Sequence, residues 1–157
     1  MSATGGTVRE ELPFTSALYI DSCANFSAGG MNLLGGAVEL ALQKLEQRKA
    51  EYKRAGVPYY QPWLVIISAG APNDNWHSAA KKAKQLSHEN KLVSLVVGVE
   101  GTDLPTLNEF SNRAAVKLDR LKFDEFFQWL SASISRVSQS VSTTAKIDLL
   151  LLPFNFH

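Results

Sequence analysis

The sequence contains little that would direct the chain to a membrane, a disulfide scaffold or nucleic acid. Its single cysteine, Cys23, cannot close an internal disulfide, which is typical of a reducing cytoplasm. No apolar run approaches the roughly 20 residues that a membrane-spanning helix needs. Sixteen Lys and Arg balance fifteen Asp and Glu, and a net charge of +1 is too small for sequence-independent attraction to phosphate backbones. These absences predict a cytoplasmic protein whose partners are neither membranes nor nucleic acids.

The sequence also lacks the residue combinations of common enzymes. A nucleophilic enzyme needs Ser or Cys beside a base and an orienting group. His77 and His88 fall at the two ends of one predicted helix, and His157 is the last residue. No Cys/His cluster has zinc-site spacing, and no Gly-Lys-Ser/Thr follows the paired glycines. The sequence therefore favours a binding function over catalysis.

What is present predicts one layered domain. The chain has 157 residues, of which 45% are hydrophobic and 20% charged, which suits a single globular unit over residues 1–157. Short β-rich runs alternate with helical periodicity, as in a three-layer, Rossmann-like α/β domain with a mainly parallel sheet. Residues 1–6 are small and polar, and we predict a frayed end there. Residues 141–157 form a C-terminal extension, in which 147–152 is predicted to be a strand or a docking segment.

Hydrophobic spacing places the elements between these ends. Trp63–Ile67 and Leu92–Val97 are continuous apolar runs, as expected of adjacent, central parallel strands covered on both faces. A helix from near Asn32 is stopped by Gly56 and Pro58. The other predicted elements are a helix containing Trp76, a short helix carrying Leu104, Leu107 and Phe110, an edge strand at 114–118, and a final helix burying Phe123, Phe126, Phe127, Leu130, Ile134 and Val137.

Several strings, in the right order, resemble the von Willebrand factor A domain of the bacterial TerY type, which is associated with tellurite resistance and stress operons. The resemblance covers about residues 12–140. The strings that carry it are Leu45-Glu-Gln-Arg-Lys-Ala-Glu-Tyr-Lys, Tyr59-Tyr-Gln-Pro-Trp-Leu-Val-Ile-Ile, Gly70-Ala-Pro-Asn-Asp-Asn-Trp, Val97-Gly-Val-Glu-Gly and Phe126-Phe-Gln-Trp-Leu-Ser. The resemblance implies a protein-interaction module.

The resemblance also implies a metal-ion-dependent adhesion site, in which three loops hold a divalent cation. Here Asn32 stands where the family has a Thr, and Ser68-Ala69 stands where the family has Thr-Asp. Ala69 supplies a methyl group in place of the carboxylate. Divalent cations such as Mg²⁺ need charged, hard oxygen ligands, so we expect no cofactor and at most weak cation binding.

Two alignments of the N-terminal part remain open. In the favoured alignment, the chain lacks the family's early strands and its Asp-x-Ser-x-Ser turn. The strand edge or apolar helix face that this leaves uncovered is then predicted to be covered by a partner protein, a second copy or the 147–152 segment. In the other, 17–20 is the first strand and Asp21 keeps one ligand of that turn, with Cys23 and Asn25 at the serine positions.

The partner-binding surface is predicted at the degenerate adhesion loops. It comprises Asp21, Asn32, Ser68, Ala69, Asp74, Tyr59 and Tyr60. Asp74 is either a carboxylate on the rim of that site or, as we favour, the N-cap of the helix containing Trp76. Tyr59 and Tyr60 either line the core or anchor a partner, which is a protein or a homodimer mate. The alternatives to this function are a hydrolase using Asp21 or Asp74 and a decayed structural remnant.

Overall fold

The computed structural model describes residues 1–4, 6–20, 30–99, 101–119 and 122–140. The predicted segment 147–152 and the residues Asp21, Cys23 and Asn25 lie outside these ranges. The described strands are β1 (Ser2–Thr4), β2 (Thr7–Arg9), β3 (Trp63–Ser68), β4 (Val93–Gly98) and β5 (Val116–Lys117). The described helices are α1 (Leu34–Arg54), α2 (His77–His88), α3 (Leu104–Leu107) and α4 (Phe123–Gln139), with 3-10 turns at Ala17–Tyr19 and Asn108–Phe110.

The main sheet confirms the predicted α/β class. Its three strands run parallel in the order β3-β4-β5, and β3 pairs with β4 from Trp63 opposite Val93 to Ser68 opposite Gly98. The predicted adjacency and direction of the two long strands are therefore correct. The prediction placed both strands centrally, and among the described residues β4 has a neighbour on each side while β3 has one only on the β4 side. Accordingly Ile67 is 42% exposed, whereas every residue of β4 is buried.

Helices cover both faces of this sheet and give three layers. On one face, side chains from α1, α2 and the 3-10 turn at Phe110 pack against Leu64, Ile66 and Val96. On the other face, Phe126 and Trp129 of α4 pack against Val93, Leu95 and Val97. The alternation of these strand residues between the two clusters follows from the two-residue period of a strand.

The buried face of α4 differs from the predicted one. Phe126, Trp129 and Ser133 are buried, while Phe127 and Ile134 are 49% and 47% exposed. The predicted buried face included Phe127 and Ile134 and did not include Trp129. The face of α4 that lies on the sheet instead contains Phe126 and Trp129, with Phe123 and Leu130 partly buried beside them.

Local signals in the sequence end helices α1 and α2. Beyond α1, Gly56 has a φ of +65°, and the Val57 N–H donates to the Tyr52 carbonyl over 2.9 Å. Asn90 takes the same role after α2, with a φ of 55°. These are Schellman-type ends, in which a left-handed residue lets orphan carbonyls find donors.

The N-terminal residues do not form a frayed end, so that prediction is wrong. β1 and β2 pair antiparallel from Ser2 opposite Arg9 to Thr4 opposite Thr7. The signal was present in the sequence, because a Gly-Gly pair between short β-forming runs is a hairpin motif. Residues 17–19 form a 3-10 turn, with Leu18 88% exposed, so the first strand of the rival alignment is absent.

None of the described helices combines the length and apolar character that crossing a bilayer requires.

Candidate functional site

The predicted loop residues meet at the carboxyl end of the parallel sheet. Ser68 ends β3, residues 69–76 lead from it into α2, and residues 30–33 lead into α1. In open α/β sheets, this edge is where ligands bind, because loops from several strands converge there. Asn32, Ser68 and Asp74 are brought together at this edge, with Ala69 beside them.

Asn32 joins two of these loops through both its backbone and its side chain. Its N–H donates to Asn73 Oδ1 over 2.7 Å, and the Asn73 N–H donates to the Asn32 carbonyl over 2.8 Å. Its side-chain Nδ2 donates to Ser68 Oγ over 3.0 Å and to the Ala71 carbonyl over 3.3 Å. Asn32 therefore fixes the position of the β3–α2 loop from 36 to 41 residues away in sequence.

Asp74 caps α1, so the prediction that it caps the helix containing Trp76 is wrong. Its Oδ1 accepts from the Gly35 N–H over 3.0 Å and its Oδ2 from the Gly36 N–H over 2.8 Å. The N-cap of α1 is Leu33, whose apolar side chain cannot accept a hydrogen bond, so an acceptor must come from elsewhere. A carboxylate at a helix N-terminus also interacts favourably with the helix dipole. At α2 the N-cap is Trp76, and no side chain caps it.

Gly35 allows the two loops to approach this closely. A Cβ at this position would lie 2.6 Å from the Trp76 Cα and 3.1 Å from the Asn75 carbonyl oxygen. Both neighbours are backbone atoms, which cannot rotate away. The α1 terminus therefore lies directly against the 74–76 backbone, and any side chain at position 35 would push them apart.

The loop after β4 completes the edge. Thr102 Oγ1 donates to the Ser68 carbonyl over 3.1 Å and also to the Val99 carbonyl. Neither Thr102 nor Asn73 was predicted from the sequence to be a site residue. Asn73 carries a detectable signal, because Asn after Pro in a turn is a frequent provider of side-chain-to-backbone hydrogen bonds.

The described loop residues do not fit the divalent cation that the family resemblance implies. Asn32 turns its amide nitrogen, a donor, toward Ser68, and both oxygens of Asp74 accept backbone N–H groups. Ala69 has no ligand atom. Within the described ranges, His, Cys, Asp and Glu form no group of three with metal-binding geometry. The polar atoms at this edge hold the loops to one another.

Tyr59 and Tyr60 lie at the opposite, amino end of β3. A six-residue strand is about 20 Å long, so the two tyrosines do not share a surface with Asn32 and Asp74. The Tyr59 ring stacks on Tyr52 with 5.9 Å between centroids. The Tyr60 hydroxyl donates to the carbonyls of Ser138 and Ser140 over 3.2 and 2.9 Å, which attaches the end of α4 to the start of β3.

Comparison with known protein families found no matching family model, and comparison with curated proteins found no significant match.

Proposed function

We propose that this chain is a non-catalytic protein-interaction module of the cytoplasm, of the stress or tellurite-resistance kind that its motifs resemble. The partner, a protein or a second copy, contacts the loops at the carboxyl end of the sheet. The observation that supports this most is the hydrogen bonding of Asn32 and Asp74, which holds separate loops in one arrangement. A preformed surface loses little conformational entropy when it binds.

The composition of this surface favours recognition through direct contacts. Ala69, Ala71 and Asn73 are exposed, and between them they offer methyl groups and one amide to a partner. Asp74 is partly buried, and both of its carboxylate oxygens accept hydrogen bonds from the start of α1. A partner would therefore meet a small, neutral surface bounded by backbone groups rather than a charged one.

A photo-crosslinking amino acid tests where the partner binds. Ala69 and Ala55 are both exposed, and they lie at opposite ends of the domain, beside the carboxyl end of β3 and at the C-terminus of α1. In cells that express the chain natively, we expect a discrete crosslinked species from position 69 and none from position 55. Asn32→Ala should reduce that crosslink, because it loosens the loop arrangement. Equal crosslinking at both positions would contradict the proposal.

We predict that binding at these loops does not depend on a divalent cation. Calorimetric titration of the purified chain with Mg²⁺ and Mn²⁺ should show no binding at micromolar concentrations, because Asn32 and Ser68 are neutral and Asp74 is engaged. Micromolar binding that disappears in Asn32→Ala would instead establish metal-bridged recognition of a partner's carboxylate.

A further inference from the structure

A groove follows α2 on the flank of the helix that faces the 3-10 turn at Asn108–Phe110. Its volume is about 740 Å³, and its lining extends from Trp76, at the start of α2, to Glu89, just beyond the end. The twelve residues of α2 rise about 18 Å along the helix axis, so this volume belongs to a long, narrow channel. Six of the nine residues that line the channel are exposed, so it opens toward solvent along its length.

The floor of the groove is apolar. Ala80 is buried, and Trp76 is partly buried against the core. The His77 ring stacks on the Trp76 ring with 3.9 Å between centroids and 17° between planes, so the two rings form one flat surface at the start of the groove. The methylene groups of lysine side chains extend an apolar floor of this kind, while their ammonium groups stay in water. The groove therefore offers apolar contact area below a polar rim.

Four side chains with nitrogen donors follow one line along this rim. His77, Lys81, Lys84 and His88 are spaced by four, three and four residues, so they lie on one face of α2. All four line the groove. An ammonium group has three N–H donors, and a neutral imidazole has one. The rim is therefore suited to carboxylates, which only accept hydrogen bonds.

Two acidic residues also line the groove, and other groups engage both of them. Glu109 accepts from Lys84 over 3.3 Å, and Glu89 pairs with Lys91 over 2.7 Å. Lys91 lies outside the groove, so the charge of Glu89 is balanced from outside. Lys81, by contrast, forms no ion pair with any residue that the structure describes. Its exposed ammonium is the charge in the groove that a ligand can neutralise.

We propose that this groove binds an acidic, amphipathic segment of a partner protein. Apolar side chains of the segment lie on Trp76 and Ala80, and a carboxylate pairs with Lys81. Small molecules bind in cavities that enclose most of their surface, whereas a peptide lies along an open groove and places its apolar anchors on the floor. The length of the groove matches about three turns of a helix. The site lies along α2, and it does not depend on the proposal for the loops after β3.

Selection from random peptides displayed on phage, with the purified full chain as bait, tests the proposal. Peptides of about 12 residues match the groove in helical form. We expect the enriched sequences to combine Asp or Glu with large apolar residues at helical spacing. Added to the labelled chain, a synthetic copy of an enriched peptide should shift the NMR signal of the Trp76 indole N–H and the amide signals of residues 77–88.

Two neighbouring lysines give a matched pair of variants. Lys81→Glu should weaken binding of the enriched peptides by about tenfold or more, because a like charge then faces their carboxylates. Lys82→Glu makes the same change of charge one residue along, outside the groove, and should weaken binding by less than about threefold, since salt screens exposed charges at that distance. Both lysines are exposed, so both variants should keep the stability of the parent chain in urea unfolding.

Several results would overturn the proposal. A selection without binders would do so, as would enriched peptides that are not acidic or that bind Lys81→Glu and the parent chain equally. Equal binding by a peptide of the same composition in scrambled order would show general charge attraction instead of a shaped site. Self-association in sedimentation that disappears in Lys81→Glu would assign the groove to a second copy. The crosslink from Ala69 reports on the loops after β3 and is independent of all these outcomes.

Discussion

The two ends of β3 are held by different kinds of interaction. At the carboxyl end, Asn32 and Asp74 form directional hydrogen bonds across 36 to 41 residues of sequence, and Gly35 lets backbones touch. At the amino end, Tyr59 stacks on Tyr52 and one tyrosine hydroxyl bonds the end of α4. The carboxyl end depends on close contact between backbones, so a substitution there should lower stability strongly. The amino end depends on individual side-chain contacts, and each of these can be removed without disturbing the others.

The largest effect should come from Gly35→Ala at the carboxyl end. The added methyl group would meet the Trp76 Cα at 2.6 Å, and overpacking of this kind lowers the free energy of unfolding by about 2–3 kcal/mol. Gly36→Ala is the matched control, since its nearest neighbour is a methyl group of Val8 at 3.1 Å and Ala is the better helix former. Urea unfolding measures both. Equal losses in the two variants would show that close backbone approach is not the cause.

Asp74→Ala should have the next largest effect. It leaves two N–H groups at the start of α1 without their acceptor, and loss of a helix cap costs about 1–2 kcal/mol. Hydrogen exchange at Gly35 and Gly36 should accelerate, which a general loss of packing would not produce selectively. The exposed neighbour Asn75→Ala should change stability by less than about 0.5 kcal/mol. A stability loss in Asp74→Ala without faster exchange at these amides would contradict the capping role.

At the amino end, Tyr60→Phe should cost less. The variant keeps the ring and removes the hydroxyl that donates to Ser138 and Ser140, a partly buried interaction worth about 1 kcal/mol. Tyr59→Phe is the control, because the contact of Tyr59 is made by its ring. Chemical denaturation followed by tryptophan fluorescence gives both values. Equal effects would mean that the hydroxyl does not hold α4.

The smallest effect concerns Glu89, just after α2 and also at the amino end of the sheet. The pKa of its carboxyl lies below the ordinary value, because Lys91 and then Gln85 donate to it over 2.7 and 2.9 Å. Its contribution to stability is therefore present above the unfolded pKa and is lost as pH falls through the folded one. The Glu89 side chain is exposed to solvent, so this contribution is small. NMR titration should show a larger rise in this pKa for Lys91→Met than for Gln85→Met, and the reverse order would contradict the pairing.

The sequence predicted the elements whose signals are local. Periodic apolar residues located α1 and α2, and continuous β-branched runs located β3 and β4 with the right direction and adjacency. The hairpin of β1 and β2 was also local, but its Gly-Gly signal lies in a segment that composition alone assigned to a frayed end.

The sequence predicted which residues meet at the candidate site but not which contacts they make. Asn32, Ser68 and Asp74 do meet, yet what each one contacts depends on residues far away in sequence. The residues around Asp74 match the pattern of an N-cap for the helix that comes next in sequence. Asp74 instead caps α1, whose own N-cap residue, Leu33, is apolar and lies 41 positions earlier. No local sequence pattern connects these two positions. Similarly, Tyr59 and Tyr60 are close to Ser68 in sequence, but they lie at the amino end of β3 and the site lies at its carboxyl end, so the length of the strand separates them in space.

The complete burial of β4 has a consequence for how the protein behaves in concentrated solution. Its segment Leu92-Val-Ser-Leu-Val-Val-Gly-Val has no charge and no proline, a composition that stacks readily into cross-β fibrils once exposed. Lys91 and Glu100 flank it in sequence as charged gatekeepers, but a net charge of +1 adds little repulsion between copies. The lifetime of the folded state, more than the charge of the surface, therefore sets how long the protein stays dispersed.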